Sequence, residues 1–356
     1  MKRINQLMIL AFTAFIVSCN SDDSGDLPEI EGDYANGVFV LNEGIFNASN
    51  ASVSFISSSG EIQNHIFETV NGRMLGDVAQ SMVLENGYAY IIVNNSNTVE
   101  IVNQNTFESI ATISEGLQNP RYIEIHNNKA YVSNWGDATD ANDDFIAVID
   151  LSNNSVSSTI SVVEGPERMV EENGKLYVAQ QGGWGYGNSI SVIDLNSNSV
   201  VSTIQVADVP AGMVEENGYL YVLCTGKESW TGEETVGALY KINLQNNQIT
   251  DEFEFGEGIH PAYLDVENDK VYYTIGNNIY QTSAANIENQ GAPFIATGGN
   301  GLQILYGFNV VDGWIYATDA KDFQSDGEVF VYSLNGDLSS QIPIGGYLPK
   351  GVFFED

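Results

Sequence analysis

The sequence predicts an all-β protein, a seven-bladed β-propeller closed by pairing between its N- and C-terminal strands. Three observations point there. The phrase NGYAY (86–90) returns as NNKAY (127–131), NGKLY (173–177), NGYLY (217–221), NDKVY (268–272) and DGWIY (312–316), with a variant, NGVFV, from Asn36. Its tyrosines fall about 40–50 residues apart, the spacing of propeller blades. Alternating apolar runs flank each copy, and no segment carries a convincing helical period.

Each repeat reads strand by strand. Around Asn173, an apolar strand opens on a proline (PERMVEE), Asn-Gly reverses the chain, and a second strand follows (KLYVAQQ). After a variable loop come an alternating third strand (SISVIDL), a polar turn (NSN) and a fourth strand (SVVSTIQV). Asn-Gly suits the first reversal because both central residues of a type I′ turn need positive φ. Four antiparallel strands make one blade. The first unit begins at NGVFVL and lacks a strand ahead of its turn. The chain ends on PKGVFFED, which matches the missing proline-led strand. Residues 351–355 are therefore expected beside residues 38–41, completing the first blade and leaving no open sheet edge. An open solenoid would need capping repeats, and none is visible.

Ahead of the propeller, assigned to residues 35–356, the chain reads as an export leader. Lys2 and Arg3 precede an apolar run, residues 7–17, too short to span a bilayer and fitting a secretory signal. The run ends in Ile16-Val17-Ser18-Cys19, a lipobox-like ending. Residues 1–18 are thus expected to be removed, Cys19 to be lipidated, and residues 19–34, NSDDSGDLPEIEGD and its neighbours, to form a flexible acidic tether. With Cys19 lipidated, Cys224 is the remaining thiol and no intrachain disulfide forms. In GYLYVLCTG it reads as a small buried side chain.

Composition limits the partners. The chain of 356 residues carries 47 acidic against 12 basic residues. Such a surface stays soluble and repels nucleic acid and anionic headgroups, so membrane contact is expected through the lipid anchor alone.

Strand alternation sorts the loops onto two faces. The Asn-Gly turns and the polar turns (DLSNNS, DLNSNS, NLQNNQ) share a plain face. The loops between second and third strands share the other face with the blade-to-blade connectors. Those loops are NEGIFNASN (42–50), NWGDATDANDDF (134–145), QQGGWGYGN (180–188), TGKESWTGEE (225–234) and DAKDFQSDGE (319–328). They hold Phe46, Trp135, Trp184, Tyr186, Trp230 and Phe323, whereas Trp314 lies in the repeat phrase and is expected to pack. Exposed apolar groups clustered on one face usually mark a binding site, although rings folded over one another would read the same way in sequence. The connectors add Arg73, Arg121, Arg168, His260 and Lys350, and the loops Lys227 and Lys321. Six of the ten Lys and Arg behind Cys19, with His260, are thus expected around one channel mouth. Each guanidinium there is either a fork for phosphate or carbonyl groups or the partner of a nearby carboxylate. Arg73 sits in an unusually long connector, VNGRMLGDVAQS, whose glycines would allow close backbone approach to a ligand.

Other chemistry is thinly represented. His65, His126 and His260 lie in different blades, so no transition-metal site is expected. Asp137, Asp140, Asp143 and Asp144 carry oxygen ligands but no EF-hand pattern, and solvation is the plainer reading. GGWGYG (182–187) joins two strands and makes a weak phosphate cradle. No nucleophile elbow, Walker loop or dinucleotide fingerprint stands in a plausible context. The one acid–base pair to weigh is His260 with Glu257, and the expectation is a protein without catalytic residues or a cofactor.

The blades, with PxxϕxϕxNGxLYV followed by SVIDLxxxxVxxTI, resemble the YncE-type seven-bladed propellers. The stretches NEGIFNASNASVSFI (42–56) and IFETVNGRMLGDVAQSM (66–82) are similar to the start of the BtuG group, surface lipoproteins of Bacteroidota that capture cobalamin (vitamin B12) for a BtuB-like TonB-dependent transporter. The resemblance implies an outer-membrane, surface-exposed lipoprotein, with an acidic run behind Cys19 like the surface-export signal of such proteins. It also implies a broad, amide-rich, partly apolar ligand carrying one phosphate. Nothing in the residues separates this from a surface adhesin binding glycan or protein, while a propeller lyase or dehydrogenase would need more than His260 and Glu257.

Overall fold

The repeat phrase dictates the local geometry. In the computed structural model, which describes residues 32–137, 139–288 and 291–354, Asn86, Asn127, Asn173, Asn217, Asn268 and Asp312 all take positive φ at the first reversal. Glycines 87, 174, 218 and 313 follow with positive φ, as a type I′ turn requires. The leader, Cys19 and the tether up to residue 31 lie outside the described residues.

Seven antiparallel sheets result, six of four strands and one of three. Blade 2, for example, runs Ala79–Glu85, Tyr88–Val93, Thr98–Asn103 and Ser109–Ile113. Blade 6 has Pro261–Glu267, Lys270–Ile275 and Asn278–Ser283, and a single bridge from Ile279 to Ile295 stands where a fourth strand was expected. Its sequence there, with Pro293 and several glycines, lacks the alternation that a ladder needs.

Blade 1 closes as expected. Pro349–Phe353 pairs with Gly37–Asn42, placing Phe39 opposite Phe353, Val40 opposite Val352 and Leu41 opposite Gly351. The chain ends therefore share one sheet. Tyr34, assigned by sequence to the tether, is buried and packs edge-on against Phe55 and Phe107, so the folded unit starts earlier.

A helix also appears where none was expected. Ile66–Asn71 is a short α-helix, ended by Gly72 in the left-handed region. One turn is too brief to show a period in sequence; it is held by burying Ile66 and Phe67 in the core between blades 1 and 2.

The cores lie between blades. Val40, Ile56 and Val352 of blade 1 meet Val329, Val331 and Ile344 of blade 7, while Phe39, Leu41 and Phe55 meet Met82, Ile91 and Phe107 of blade 2. Each apolar sheet face is covered only by its neighbour, so the closing strand serves two interfaces. Val352→Ala is expected to cost roughly 2 kcal/mol by transfer and cavity terms. Truncation after Leu348 is expected to abolish the cooperative transition. Calorimetric melting checks both.

Candidate functional site

A repeated backbone device builds the channel. On the opening strand of every blade the register slips just after the first residue, leaving one or two residues out of the ladder. These are Gln80, then Arg121 with Tyr122, Glu167 with Arg168, Ala211, Ala262 with Tyr263, Tyr306, and Lys350. A bulge re-aims side chains. Repeated around the ring, it makes a collar just inside the channel mouth. Gln80, Tyr122, Arg168, Tyr263 and Lys350 line a channel cavity of about 340 Å³.

Most of the collar is internally paired. The Lys350 ammonium donates to Glu43 Oε2 at 2.7 Å and to Gln80 Oε1 at 3.2 Å, and the Tyr306 hydroxyl donates to the same Glu43 oxygen at 2.9 Å. Arg121 Nε donates to Glu167 Oε1 at 2.7 Å, and its guanidinium lies 4.1 Å from the Trp135 ring centre. Burial, then Glu43, pushes the Tyr306 phenol up, and burial does the same to Tyr263, whose hydroxyl donates to the Tyr306 carbonyl. The residues missed by sequence reading, Glu43, Gln80, Tyr122, Glu167, Tyr263 and Tyr306, had one available signal. Except for Glu43, they stand one or two places after a blade-opening residue.

The basic residues do not form an open cationic ring. Lys227 faces Asp208 at 3.8 Å and Glu233 at 3.6 Å, and Lys321 pairs with Glu328 at 2.8 Å. His260 Nδ1 lies 3.0 Å from the Thr225 carbonyl, and Nε2 lies 3.4 Å from Glu234 and 3.7 Å from Glu228. His260 thus has Glu234 and Glu228 as its carboxylates instead of Glu257.

Arg73 is not at the mouth. Both of its terminal nitrogens grip Glu100, at 3.1 and 2.8 Å, with further bonds to Ser109 and Thr112 on the outermost strand of blade 2 and Phe67 beneath the guanidinium. The long connector is explained by this strut and by Gly76, where a Cβ would sit 2.6 Å from Ser96 Oγ. Its close approach is to blade 2.

The aromatic residues remain outward. Phe46 is 65 % exposed, Trp184 76 % and Trp230 79 %, with Tyr186 and Phe323 also exposed. Burial of the rings against one another is therefore not how this face is built. Trp135 alone is half-buried, edge-on to Trp184 at 6.4 Å. Trp314, expected to pack, is also exposed and lines a cleft between blades 7 and 1. The Trp184 loop is fixed by backbone contact: a Cβ on Gly165 would lie 1.8 Å from Gly183 N, and one on Gly187 1.9 Å from the Gln180 carbonyl. Tight packing accounts for GGWGYG. The second-to-third-strand loops are long in blades 7, 1, 3, 4 and 5, but span only 94–97 in blade 2 and 276–277 in blade 6. Two aromatic walls, one on blades 7 and 1 and one on blades 3 to 5, thus flank the mouth with a gap at either end.

In the acidic 137–144 loop, Asp137 caps Thr139, Asp140 caps Asn142, Asp143 accepts the Asp137 N–H, and Asp144 accepts the Gly165 N–H. Burial pushes Asp144 up to about 6. Among the described residues no group of three His, Cys, Asp or Glu is arranged to hold a metal ion. Cys224 is fully buried, and burial pushes its thiol up, which keeps it protonated.

Deeper in the channel the titratable groups are acidic. Glu124 lines the cavity, and burial, then Glu171 and Glu85, pushes its carboxyl up to about 8. Asp265 is pushed to about 6 by burial, with backbone N–H bonds from Val310 and Val266 and the Arg168 charge opposing. Beyond them the strands end at His126, which meets Glu171 at 3.2 Å on the plain face. Because the folded Glu124 holds a proton that the unfolded chain releases near 4.5, its cost to stability grows as pH rises from about 4.5 to 8. Glu124→Gln is expected to raise the melting temperature by a few degrees at pH 8 relative to wild type and to change it little at pH 4.5. Scanning calorimetry at both pH values checks this.

Comparison with known proteins agrees on architecture. A quinonprotein alcohol dehydrogenase-like protein from Bacteroides thetaiotaomicron aligns over 91 % of this chain and 79 % of its own, at 15 % identity and a TM-score of 0.65. The hydrazine synthase of Kuenenia stuttgartiensis aligns over 79 % and 92 %, at 14 % identity and 0.55, and the computationally designed Ika8 protein over 91 % and 93 %, at 8 % identity and 0.55. Such likenesses establish the propeller fold alone. No curated protein sequence matches the chain. The model of a domain of unknown function, DUF5074, matches residues 36–355. The chain is a seven-bladed propeller and belongs to the DUF5074 family.

Proposed function

We propose that the protein binds a large, partly apolar organic ligand across its loop face and that cobalamin or a related corrinoid is that ligand. The observation that carries the reading is the set of outward aromatic rings, above all Trp184 and Trp230, standing on the loops of one face. Large rigid rings gain contact area with little loss of conformational freedom, which favours a broad ligand over a small one. The paired cations beneath them suit a ligand dominated by amide and apolar groups. The likeness of residues 42–56 and 66–82 to the cobalamin-capturing lipoproteins supplies the ligand class.

In this reading the leader is removed, Cys19 carries lipid in the outer membrane, and the acidic tether holds the propeller at the cell surface. The loop face delivers its ligand to a TonB-dependent transporter, without catalysis. Exposed tryptophans also stack on sugars, so glycan docking by a surface adhesin is the second reading that the same rings favour.

Calorimetric titration of residues 20–356 with cyanocobalamin tests the proposal. Micromolar or tighter binding is expected, weakened at least tenfold in a Trp184→Ala, Trp230→Ala double variant whose melting temperature is unchanged. Heat indistinguishable from buffer would remove corrinoids, and hits on a glycan array in that case would move the assignment to an adhesin.

A further inference from the structure

We infer that the collar contains a subsite for one anionic group, a carboxylate or a phosphate ester, received by Arg168. The site lies inside the channel and is independent of whichever ligand spans the outer rings.

Arg168 differs from every other cation of this face. Arg121, Lys227, Lys321, Lys350 and His260 each have a carboxylate within 4 Å. Among the described residues Arg168 has no hydrogen-bonded side chain and no ion pair. Its guanidinium lies 5.0 Å from the Tyr122 ring centre and lines the channel cavity. A guanidinium carries five donors in a planar fork, and leaving them without acceptors in a partly dehydrated cavity is costly. In a chain with 47 acidic residues, a carboxylate partner was readily available to this position.

The surroundings leave the fork accessible. Counted from the blade-opening proline, Arg168 corresponds to Gly212 and Tyr263 in the next two blades. Gly212 brings no side chain to that place, and Leu264 packs closely against it, 2.7 Å from where a Cβ would sit. Tyr263 lines the same cavity with its hydroxyl already donated to the Tyr306 carbonyl, and Arg168 itself is only half-buried.

The neighbouring charges do not answer it. Glu43 is engaged by Lys350 and Tyr306, and Glu167 by Arg121. Asp265 feels the Arg168 charge but makes no ion pair with it, and its two oxygens accept the Val310 and Val266 N–H groups at 2.7 and 2.8 Å. Glu124 holds its proton at neutral pH. A planar anion with two oxygens matches the fork, and the Tyr122 ring offers a face for an attached apolar body.

Ligand-observed saturation-transfer NMR on residues 20–356 tests this with benzoate, phenyl phosphate and the neutral control benzamide. Saturation transfer to at least one anion is expected on wild type, with little to benzamide. Transfer to benzoate alone assigns a carboxylate, to phenyl phosphate alone a phosphate ester, and to both a general anion subsite. Arg168→Gln is expected to weaken the anion signal at least tenfold with an unchanged circular dichroism spectrum. Should that variant fail to fold, Arg168→Lys, which keeps the charge and loses the fork, is expected to weaken it severalfold. Absence of transfer from both anions on wild type, or equal signals in wild type and a folded variant, overturns the inference. Neither result bears on the corrinoid titration, which reads the outer rings.

Discussion

The pairing of the last strand with the first is the constraint on which the molecule depends. No blade here buries both of its faces by itself; the apolar residues of each sheet are covered by the sheets on either side. A stack of such units has two uncovered faces and two open edges unless its ends meet. Pro349–Phe353 beside Gly37–Asn42 lets the ends meet within a single sheet, so closure rests on ladder hydrogen bonds as well as on apolar contact. Everything nearer the axis inherits its position from that ring.

Within the ring, the bulge after each opening residue separates framework from site. The ladder before and after it is regular, so strand packing is indifferent to what occupies the slipped position. That indifference is what allows Gln80, Arg121, Glu167, Ala211, Ala262, Tyr306 and Lys350 to occupy equivalent places with unrelated side chains. The collar is therefore variable in chemistry while the blades remain uniform.

Charge is used sparingly and mostly for construction. The cations near the mouth bind neighbouring loops and blades together: Arg121 ties blade 3 to blade 4, and Lys350 ties the closing strand to Glu43. Even Arg73, the most conspicuous basic residue of the sequence, is a strut on the outer flank of blade 2. The groups left over are rings that face outward and one guanidinium that faces the channel. In the proposed role this face would discriminate by shape and apolar contact, with little long-range electrostatic attraction in a chain whose formal net charge is −35.

The sequence alone determined the number of blades, their turns and the manner of closure, because these follow from local rules. Asn-Gly at the reversals, alternation along strands and a proline-led segment stranded at the C-terminus each have one physical reading. It also determined which loops share a face, since strand direction alternates. The helix at Ile66–Asn71 escaped because one turn, stabilised by burial of Ile66 and Phe67, leaves no periodic trace. The missing fourth strand of blade 6 was masked by an expectation that every repeat is complete. Only the tertiary structure decided which cations are paired. Glu100 lies 27 positions from Arg73, Glu167 46 from Arg121, and Glu43 307 from Lys350. Ion pairing depends on distance in space, and a closed ring brings together residues that no sequence window contains.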